Sequence, residues 1–446
     1  MRALIQTIKN IAKIEDLRFR IGYTLFILLI YRLGSYIVLP GLDPGQLAAL
    51  ESQSSDGLLG LLNMFSGGSF ARASIFALGI MPYISASIVI QLLGIAIPYF
   101  QRLQREGESG RRKINQITRY LTVAILIMQA PAYLKNLQVQ LPEAAFVLKG
   151  TFFWFSSVVI LTSGTMFVMW LGEKITDKGI GNGISLIIMI GIIARLPQSL
   201  LGEFISRLES QGGGLVAFLL EIVILFFVFI ATILLVQGTR KIPVQYAKRI
   251  VGNKQYGGVR QYIPLKVNSA GVMPIIFAQA LMFIPLTVAG FADSEALTGF
   301  AAAFANITGF WYNFTFAIMI ILFTYFYTAI TINPSQMAED MKKNGGFIPG
   351  VKPGRKTVEF LDTVMSRITL PGSIFLALVA ILPAFAQIGG VDSQFAQFYG
   401  GTSLLILVGV VLDTLQQIES HLLMRHYDGL MKGGRIKGKG GGASAI

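Results

Sequence analysis

The sequence predicts an all-α integral membrane protein that crosses the bilayer about ten times. Of its 446 residues, 53% are hydrophobic and only 13% are charged, whereas roughly 25% of the residues in a soluble domain are charged. The mean hydropathy is +0.63. Apolar runs of roughly 20 residues, the length that spans a bilayer as a helix, recur along the chain. The absence of cysteine excludes a disulfide framework and thiolate chemistry.

The predicted spans follow one another from the first apolar run to the basic tail. The first stops at Pro40-Gly41, and the fifth begins in the glycine-rich stretch 178–183. The predicted spans are residues 21–39, 74–98, 118–137, 152–171, 180–200, 215–237, 272–289, 311–332, 368–388 and 401–424. Residues 1–20 form either a short amphipathic helix on the membrane surface or a frayed terminus, and residues 425–446 form a basic cytoplasmic tail.

Lysine and arginine concentrate in alternate loops, and the net charge of the chain is +14. With the N-terminus, the basic segments are residues 102–119, 173–178, 240–266, 342–367 and the tail from residue 425. The other loops are poor in basic residues and partly acidic; they are residues 43–56, 135–149, 203–209 and 293–306, with Asp392. By the positive-inside rule the basic segments face the cytoplasm. Both termini are therefore predicted to be cytoplasmic, which an even number of spans allows.

Two features depart from simple hydropathy. Prolines and polar residues occur inside the second and seventh spans, at Pro82, Ser85, Ser87, Gln91, Pro274, Gln279 and Pro285. They indicate either close helix packing or a solvated path through the bundle. Residues 57–68 are apolar but too short to cross the membrane. They predict either a short re-entrant helix or a surface hairpin.

No catalytic or metal site is evident in the sequence. The two histidines, His421 and His426, both lie at the end of the last span, and residues 179–183 lack the Lys-Ser/Thr of a nucleotide-binding loop. We therefore predict that the chain is not an enzyme and takes no metal and no cofactor. Asp413 is the clearest acid near a membrane interior, whereas a transporter that relays ions usually needs more such groups.

The long loops 238–271 and 333–367 carry much of the positive charge. Orientation of the chain accounts for part of this charge. The loops are longer than orientation requires, and they contain Gly and Pro turns. Long basic loops on one face favour docking of an acidic or RNA-containing partner.

Local strings along the whole chain resemble the SecY family of bacterial protein-conducting channel subunits. The resemblance follows the order of the spans and is carried by residues 63–68 (NMFSGG), 72–87 (RASIFALGIMPYISAS), 106–113 (EGESGRRK), 179–185 (GIGNGIS), 264–268 (PLKVN), 349–354 (PGVKPG) and 400–406 (GGTSLLI). It implies a clamshell of two five-helix halves, related as inverted repeats, around an hourglass pore. The halves would be residues 21–200 and 201–424.

The resemblance also implies roles for particular residues of the pore. A ring of apolar side chains would narrow the waist, at Ile80, Ile84, Ile184, Ile188, Ile276 and Ile406. A plug at about residues 57–70 would fill the external funnel, through Gly57, Leu58, Leu61, Leu62, Asn63, Met64, Phe65, Gly67 and Gly68. A lateral gate between spans two and three and spans seven and eight would contain Ser85, Ser87, Gln91 and Gln279. Aliphatic side chains suit a seal that dewets around an extended chain.

The resemblance further implies partners. The basic loops would dock the ribosome and the SecA motor ATPase through Arg240, Lys241, Lys248, Arg249, Lys254, Lys352, Arg355 and Lys356. Lys352 stands where the family usually has arginine, so the charge is kept but the bidentate fork is absent. Small SecE-type and SecG-type subunits, signal sequences, nascent polypeptides and membrane lipid are the other expected partners, in the bacterial inner membrane. A secondary transporter of a small solute is the alternative, because such proteins also use inverted repeats and broken helices.

Overall fold

The computed structural model describes the chain with gaps. The described residues are 14–47, 63–148, 150–209, 214–246, 249–251, 254–256, 260–279, 281–282 and 308–433. The helices are α1 (Glu15–Gly34), α2 (Met81–Ala96), α3 (Pro98–Arg105), α4 (Glu108–Gln140), α5 (Thr151–Lys178), α6 (Gly183–Glu209), α7 (Gly214–Gln237), α8 (Phe310–Thr331), α9 (Pro334–Lys343), α10 (Arg355–Ile388), α11 (Ser393–Ala396) and α12 (Gly401–Gly433). The strands are β1 (Thr239–Tyr246), β2 (Arg249–Val251), β3 (Lys254–Tyr256), β4 (Arg260–Lys266) and β5 (Gly346–Phe347).

Most of the predicted spans are helices. Within the described residues, seven helices are long and apolar enough to cross a membrane, and the bent pair α2 and α3 makes eight. The helix α1 and the helical residues 273–279 and 281–282 fall at the two other predicted spans. The predicted all-α membrane class is confirmed, and a count of ten is consistent with these helices.

The first span lies closer to the N-terminus than hydropathy predicts. The helix begins at Glu15 and ends at Gly34. Residues 37–39 instead run beside residues 73–75, where the Leu39 amide donates to the Ala73 carbonyl (2.8 Å). These pairings satisfy the backbone outside the helix, as buried backbone groups require.

The second span is shorter than hydropathy predicts. Residues 74–80 are largely turns, and α2 starts at Met81 with Pro82 in its first turn, where the missing N–H of proline costs no helical hydrogen bond. At the other end Pro98 disfavours helical backbone at Ile97, which is extended (φ −110°, ψ 121°). The axis turns by 102° between α2 and α3.

The helices pack in two groups. In the first, α4 packs on α2 and α5, and α5 packs on α1 and α6; in the second, α8 packs on α10, and α7 on α12. The groups meet where α6 contacts α7 and α12. A central apolar cluster contains residues of both groups, including Ile175, Ile192 and Val410.

A small sheet joins the two long basic loops. The strand order is β4-β1-β5, with β1 antiparallel to both neighbours. Ile242 and Val244 of β1 are buried against Met341 and Leu361, which come from the second loop and from α10. This sheet and the hairpin of β2 and β3 both lie outside the spanning helices.

Candidate functional site

A cavity of about 530 Å³ lies between α2, α6, α12 and residues 266–276; we call it the central cavity. Its lining contains the predicted ring residues Ile84, Ile184, Ile188, Ile276 and Ile406. Ile80 is not part of the lining. It is 4% exposed and packs in one apolar cluster with Ile188 and Ile406. The structure therefore brings the predicted isoleucines to one place in the bundle.

Each helix presents one face to the central cavity. On α12 the lining residues include Ile406, Gly409, Val410 and Asp413, which follow the i, i+3, i+4, i+7 spacing of one helical face. On α2, Ile84 is followed by Ser87 and Gln91 along the same wall. The cavity is thus aliphatic at one level and polar about two turns further along the helices.

The glycine-rich turn before α6 places Ile184 against this cavity. A Cβ atom on Gly183 would lie 1.9 Å from the Gly172 carbonyl oxygen, so only glycine allows this close approach. Asn182 caps the helix because its Oδ1 accepts from the Ile184 amide (3.1 Å). The Gly181 amide donates to Gln417 Oε1 (2.9 Å), which ties the turn to α12.

Residues 63–74, which include the described part of the plug predicted at about residues 57–70 and which we call the plug segment, are compact and largely buried. The Asn63 Oδ1 accepts from the Ala71 amide (3.0 Å), and its carbonyl accepts from the Gly68 amide (2.8 Å). Gly67 and Gly68 have φ values of +64° and +89°, which favour glycine. The other predicted plug residues, Gly57, Leu58, Leu61 and Leu62, lie outside the described residues.

The plug segment contacts both helix groups. Arg32 Nη1 of α1 donates to the Gly67 carbonyl (2.7 Å). A Cβ atom on Gly67 would lie 2.9 Å from the Cα of Gly191 in α6. Ser403 Oγ of α12 lies 3.2 Å from Met64 Sδ. Met64 also belongs to the apolar cluster that contains the buried isoleucines, so the plug segment packs against the isoleucine level of the cavity.

The predicted gate residues do not form one cluster. Gln91 Nε2 donates to Ser87 Oγ (3.4 Å) and Gln91 Oε1 accepts from the Tyr327 hydroxyl of α8, while Ser85 is half-buried on α2. Gln279 is instead buried and lines a separate cavity of about 80 Å³ beside Tyr312. The gate residues are separated because their two segments run in opposite directions. From the isoleucines, α2 runs toward the sheet, whereas residues 273–282 run away from the sheet.

The described docking residues lie in the two loops whose strands form the sheet and the hairpin. Arg240, Lys241, Lys352, Arg355 and Lys356 are exposed or partly exposed. The backbone of Arg249 pairs with Tyr256, and that of Lys254 with Val251, in a two-stranded hairpin; Lys248 lies outside the described residues. Because β1 pairs with β4 and β5, the two predicted loops form a single surface.

Two of these cations share one carboxylate near the start of α10, before its apolar part. Glu359 lies 2.9 Å from Lys356 Nζ and 3.5 Å from Arg355 Nε. The hydrogen bond from Lys356 lowers the pKa of Glu359, and the same contact raises the pKa of Lys356. Part of the positive charge predicted for docking is therefore compensated within the chain.

A buried ionic cluster is the feature that sequence analysis does not reveal. Residues 203–209 are predicted as an acidic external loop, but α6 continues to Glu209. Arg207 lies 2.8 Å from Glu203 and 2.5 Å from Glu221 of α7, and all three side chains are nearly buried. The Asp392 amide donates to Glu203 Oε2 (2.7 Å). The i, i+4 spacing of Glu203 and Arg207, with a lone Glu in an apolar span, is the signal that could have found it.

These features define a multispan membrane protein with a central cavity that is aliphatic at one level and polar on the sheet side, and with a compact segment packed against the aliphatic level. The comparisons with known proteins agree. The sequence profile of the SecY family matches residues 74–415. The chain is 44% identical to protein translocase subunit SecY of Streptomyces scabiei, over 94% of this chain and 98% of that protein. It is 41% identical to the subunit of the same name from Chlamydia muridarum, over 97% of this chain and 99% of that protein. The chain belongs to the SecY family.

Solved structures share the fold. A SecY channel whose plug domain is described as stabilising the closed state has a TM-score of 0.60 and 18% identity, covering 94% of this chain and 95% of that one. Sec61 in the canine ribosome–channel complex from the endoplasmic reticulum has a TM-score of 0.54 and 16% identity, covering 94% of this chain and 95% of that one.

Proposed function

We propose that this chain is the channel-forming subunit of a protein translocase, which passes unfolded secretory polypeptides across the membrane. The observation that carries the proposal is the isoleucine-lined level of the central cavity with the plug segment against it. Relatives that match it almost end to end are named as translocase subunits. No catalytic role and no cofactor are proposed.

The isoleucines are proposed to seal the pore around a moving chain. A collar of Ile80, Ile84, Ile184, Ile188, Ile276 and Ile406 offers branched aliphatic surface with no polar atom for an ion to bind. Water leaves such a constriction easily, so ions do not cross it when no polypeptide is present. An extended peptide can still pass because its contacts with the collar are non-directional.

The plug segment is proposed to close the channel at rest and to leave when a polypeptide enters. Its contacts support closure at rest, because Arg32 donates to the Gly67 carbonyl, Gly67 lies close to Gly191, and Met64 packs with the buried isoleucines. The bond between Tyr327 and Gln91 joins α8 to α2. We propose that these helices part there, so that an apolar segment leaves sideways into lipid.

Partners and location follow from the same proposal. Small SecE-type and SecG-type subunits, the SecA motor, signal sequences and nascent chains are its proposed partners in the bacterial inner membrane, with both termini in the cytoplasm. The exposed cations around the sheet are the proposed docking surface for SecA and the ribosome. Two of the structural neighbours come from ribosome complexes, one canine and one from yeast, which supports this assignment. A secondary transporter has no support from the comparisons.

Site-specific cross-linking tests the path. The chain has no cysteine, so a single cysteine at Ile406 can be oxidised to a cysteine in a polypeptide stalled during translocation. We expect efficient cross-linking at Ile406 and none at a cysteine placed at Leu234, a lipid-facing residue 66% exposed on α7. Equal cross-linking at both positions, or none at Ile406, would contradict the proposed path.

A further inference from the structure

Among the described residues, the lining of the central cavity contains one carboxylate, that of Asp413 on α12. It lies on the same helical face as Ile406 and about two turns, or roughly 10 Å, closer to the sheet side. Gln91 has the corresponding position on α2, about two turns beyond Ile84. Asp413 therefore lies in the polar, sheet-side part of the cavity lining, together with Gln91, which makes the α2–α8 contact.

This carboxylate has no partner within the described part of the chain. It forms no ion pair and no side-chain hydrogen bond there, and Lys266, the one cation of the described lining, is not within ion-pair distance. The acids Glu203 and Glu221, also on spanning helices, are both paired with Arg207. Asp413 is an exposed residue in the cavity lining, so its carboxylate is accessible to a cation that arrives from outside the chain.

The entering substrate supplies such a cation. A secretory signal carries a positively charged region directly before its apolar core of roughly 7–15 residues. If the apolar core lies at the α2–α8 contact, where a lipid-facing exit is proposed, the preceding basic residues fall on the sheet side of the isoleucines. That is the level of Asp413.

We propose that Asp413 binds the basic region of an entering signal segment and thereby fixes its orientation, with the basic end retained on the sheet side. This inference rests on the proposed translocase function and deepens it. In this proposal, Asp413 determines which substrates begin translocation efficiently. It does not form part of the isoleucine seal against ions.

The test uses the reconstituted translocase complex and a set of signal segments that differ only in the charge before the apolar core. For Asp413→Asn we expect translocation of strongly basic signals to start about 1.5- to 5-fold more slowly, the range for removing one exposed charge pair. Signals with no charge in that region should be unaffected. Asp413→Glu should restore the wild-type preference, and Asp413→Lys should favour signals whose lysines are replaced by glutamate.

Glu419→Gln is the matched control, because Glu419 is an exposed acid on the same helix outside the cavity lining. It should leave the charge preference unchanged. Equal slowing of all signals by Asp413→Asn, or no slowing of any, would overturn the proposal. These outcomes are distinct from failure of the translocase function itself, in which the unsubstituted complex would translocate none of the signals.

Discussion

Arg207 Nη2 lies 2.5 Å from Glu221 Oε1, and this ion pair joins the end of α6 to the start of α7. The same guanidinium lies 2.8 Å from Glu203 and donates to the Gly390 carbonyl (2.7 Å). The chain passes from one helix group to the other at this point. The ionic cluster therefore fixes the two groups together at their covalent connection, on the side of the bundle away from the sheet.

Replacing Arg207 alone should destabilise the protein more than replacing all three charged residues of the ionic cluster. We expect Arg207→Met to destabilise the protein by about 3–5 kcal/mol, because two buried carboxylates are left without their counter-charge. The triple variant Arg207→Met, Glu203→Gln, Glu221→Gln should be less destabilised than Arg207→Met alone. Thermal denaturation in detergent measures both. Equal destabilisation of the two variants would contradict a role for uncompensated charge.

The isoleucine level should control the ion seal. Ile406→Ser or Ile84→Gly places a small or polar group at the constriction, so water and ions should enter the resting channel. We expect increased ion leak from vesicles that contain the reconstituted complex. Val411→Ser, at an exposed residue of α12 that does not line the cavity, should not leak. If Ile406→Ser did not increase the ion leak, that result would contradict the ring assignment.

The contact of Gly67 with α6 should hold the plug segment in place. Gly67→Ala introduces a Cβ atom 2.9 Å from the Gly191 Cα at a residue with φ +64°, a backbone conformation that costs roughly 1–2 kcal/mol for alanine. We expect easier opening, measured as greater leak and faster translocation of weak signals. Gly202→Ala is the control, since a Cβ there meets nothing within 4 Å. Unchanged leak in Gly67→Ala would argue against this contact.

The sheet surface should bind its acidic or RNA-containing partners through charge. We expect Lys241→Glu to weaken ribosome or SecA binding, and to lower the salt slope of ribosome binding by about 1 for each phosphate that is no longer neutralised. Binding titrations at several salt concentrations measure both effects. Reversing the adjacent charges Lys248 and Arg249 together should weaken binding in the same salt-sensitive way. Affinity that stays constant at low salt would exclude the docking role.

The Glu359 carboxylate should limit how much charge this surface presents. Glu359→Gln frees Lys356 and Arg355, so we expect tighter, more salt-sensitive binding. Because the pKa of Glu359 is lowered and that of Lys356 is raised, both groups stay charged near neutral pH. The pairing is complete above the ordinary Glu pKa of 4.5 and weakens as pH falls through the lower folded value. A change in this pairing between about pH 6 and 8, followed by NMR, would contradict these directions.

Local sequence determined the spanning architecture. The sixth span is predicted at 215–237 and observed at Gly214–Gln237. Such a strongly apolar run is stable in a bilayer as a spanning helix, which satisfies its backbone hydrogen bonds internally. Pro98 ends the second span as expected of proline. The strings that resemble the family place isoleucines at several separate points of the chain, and the fold brings them to one cavity.

Tertiary structure alone decided which distant residues meet. Nothing local indicates that β1 pairs with both β4 and β5, that Gln279 lines a different cavity from Gln91, or that Arg207 reaches Glu221. Hydropathy is a property of each segment by itself and sets whether that segment enters the membrane. Strand pairing, ion pairing and the lining of a cavity depend on two or more segments at once, so they exist only when the helices have packed.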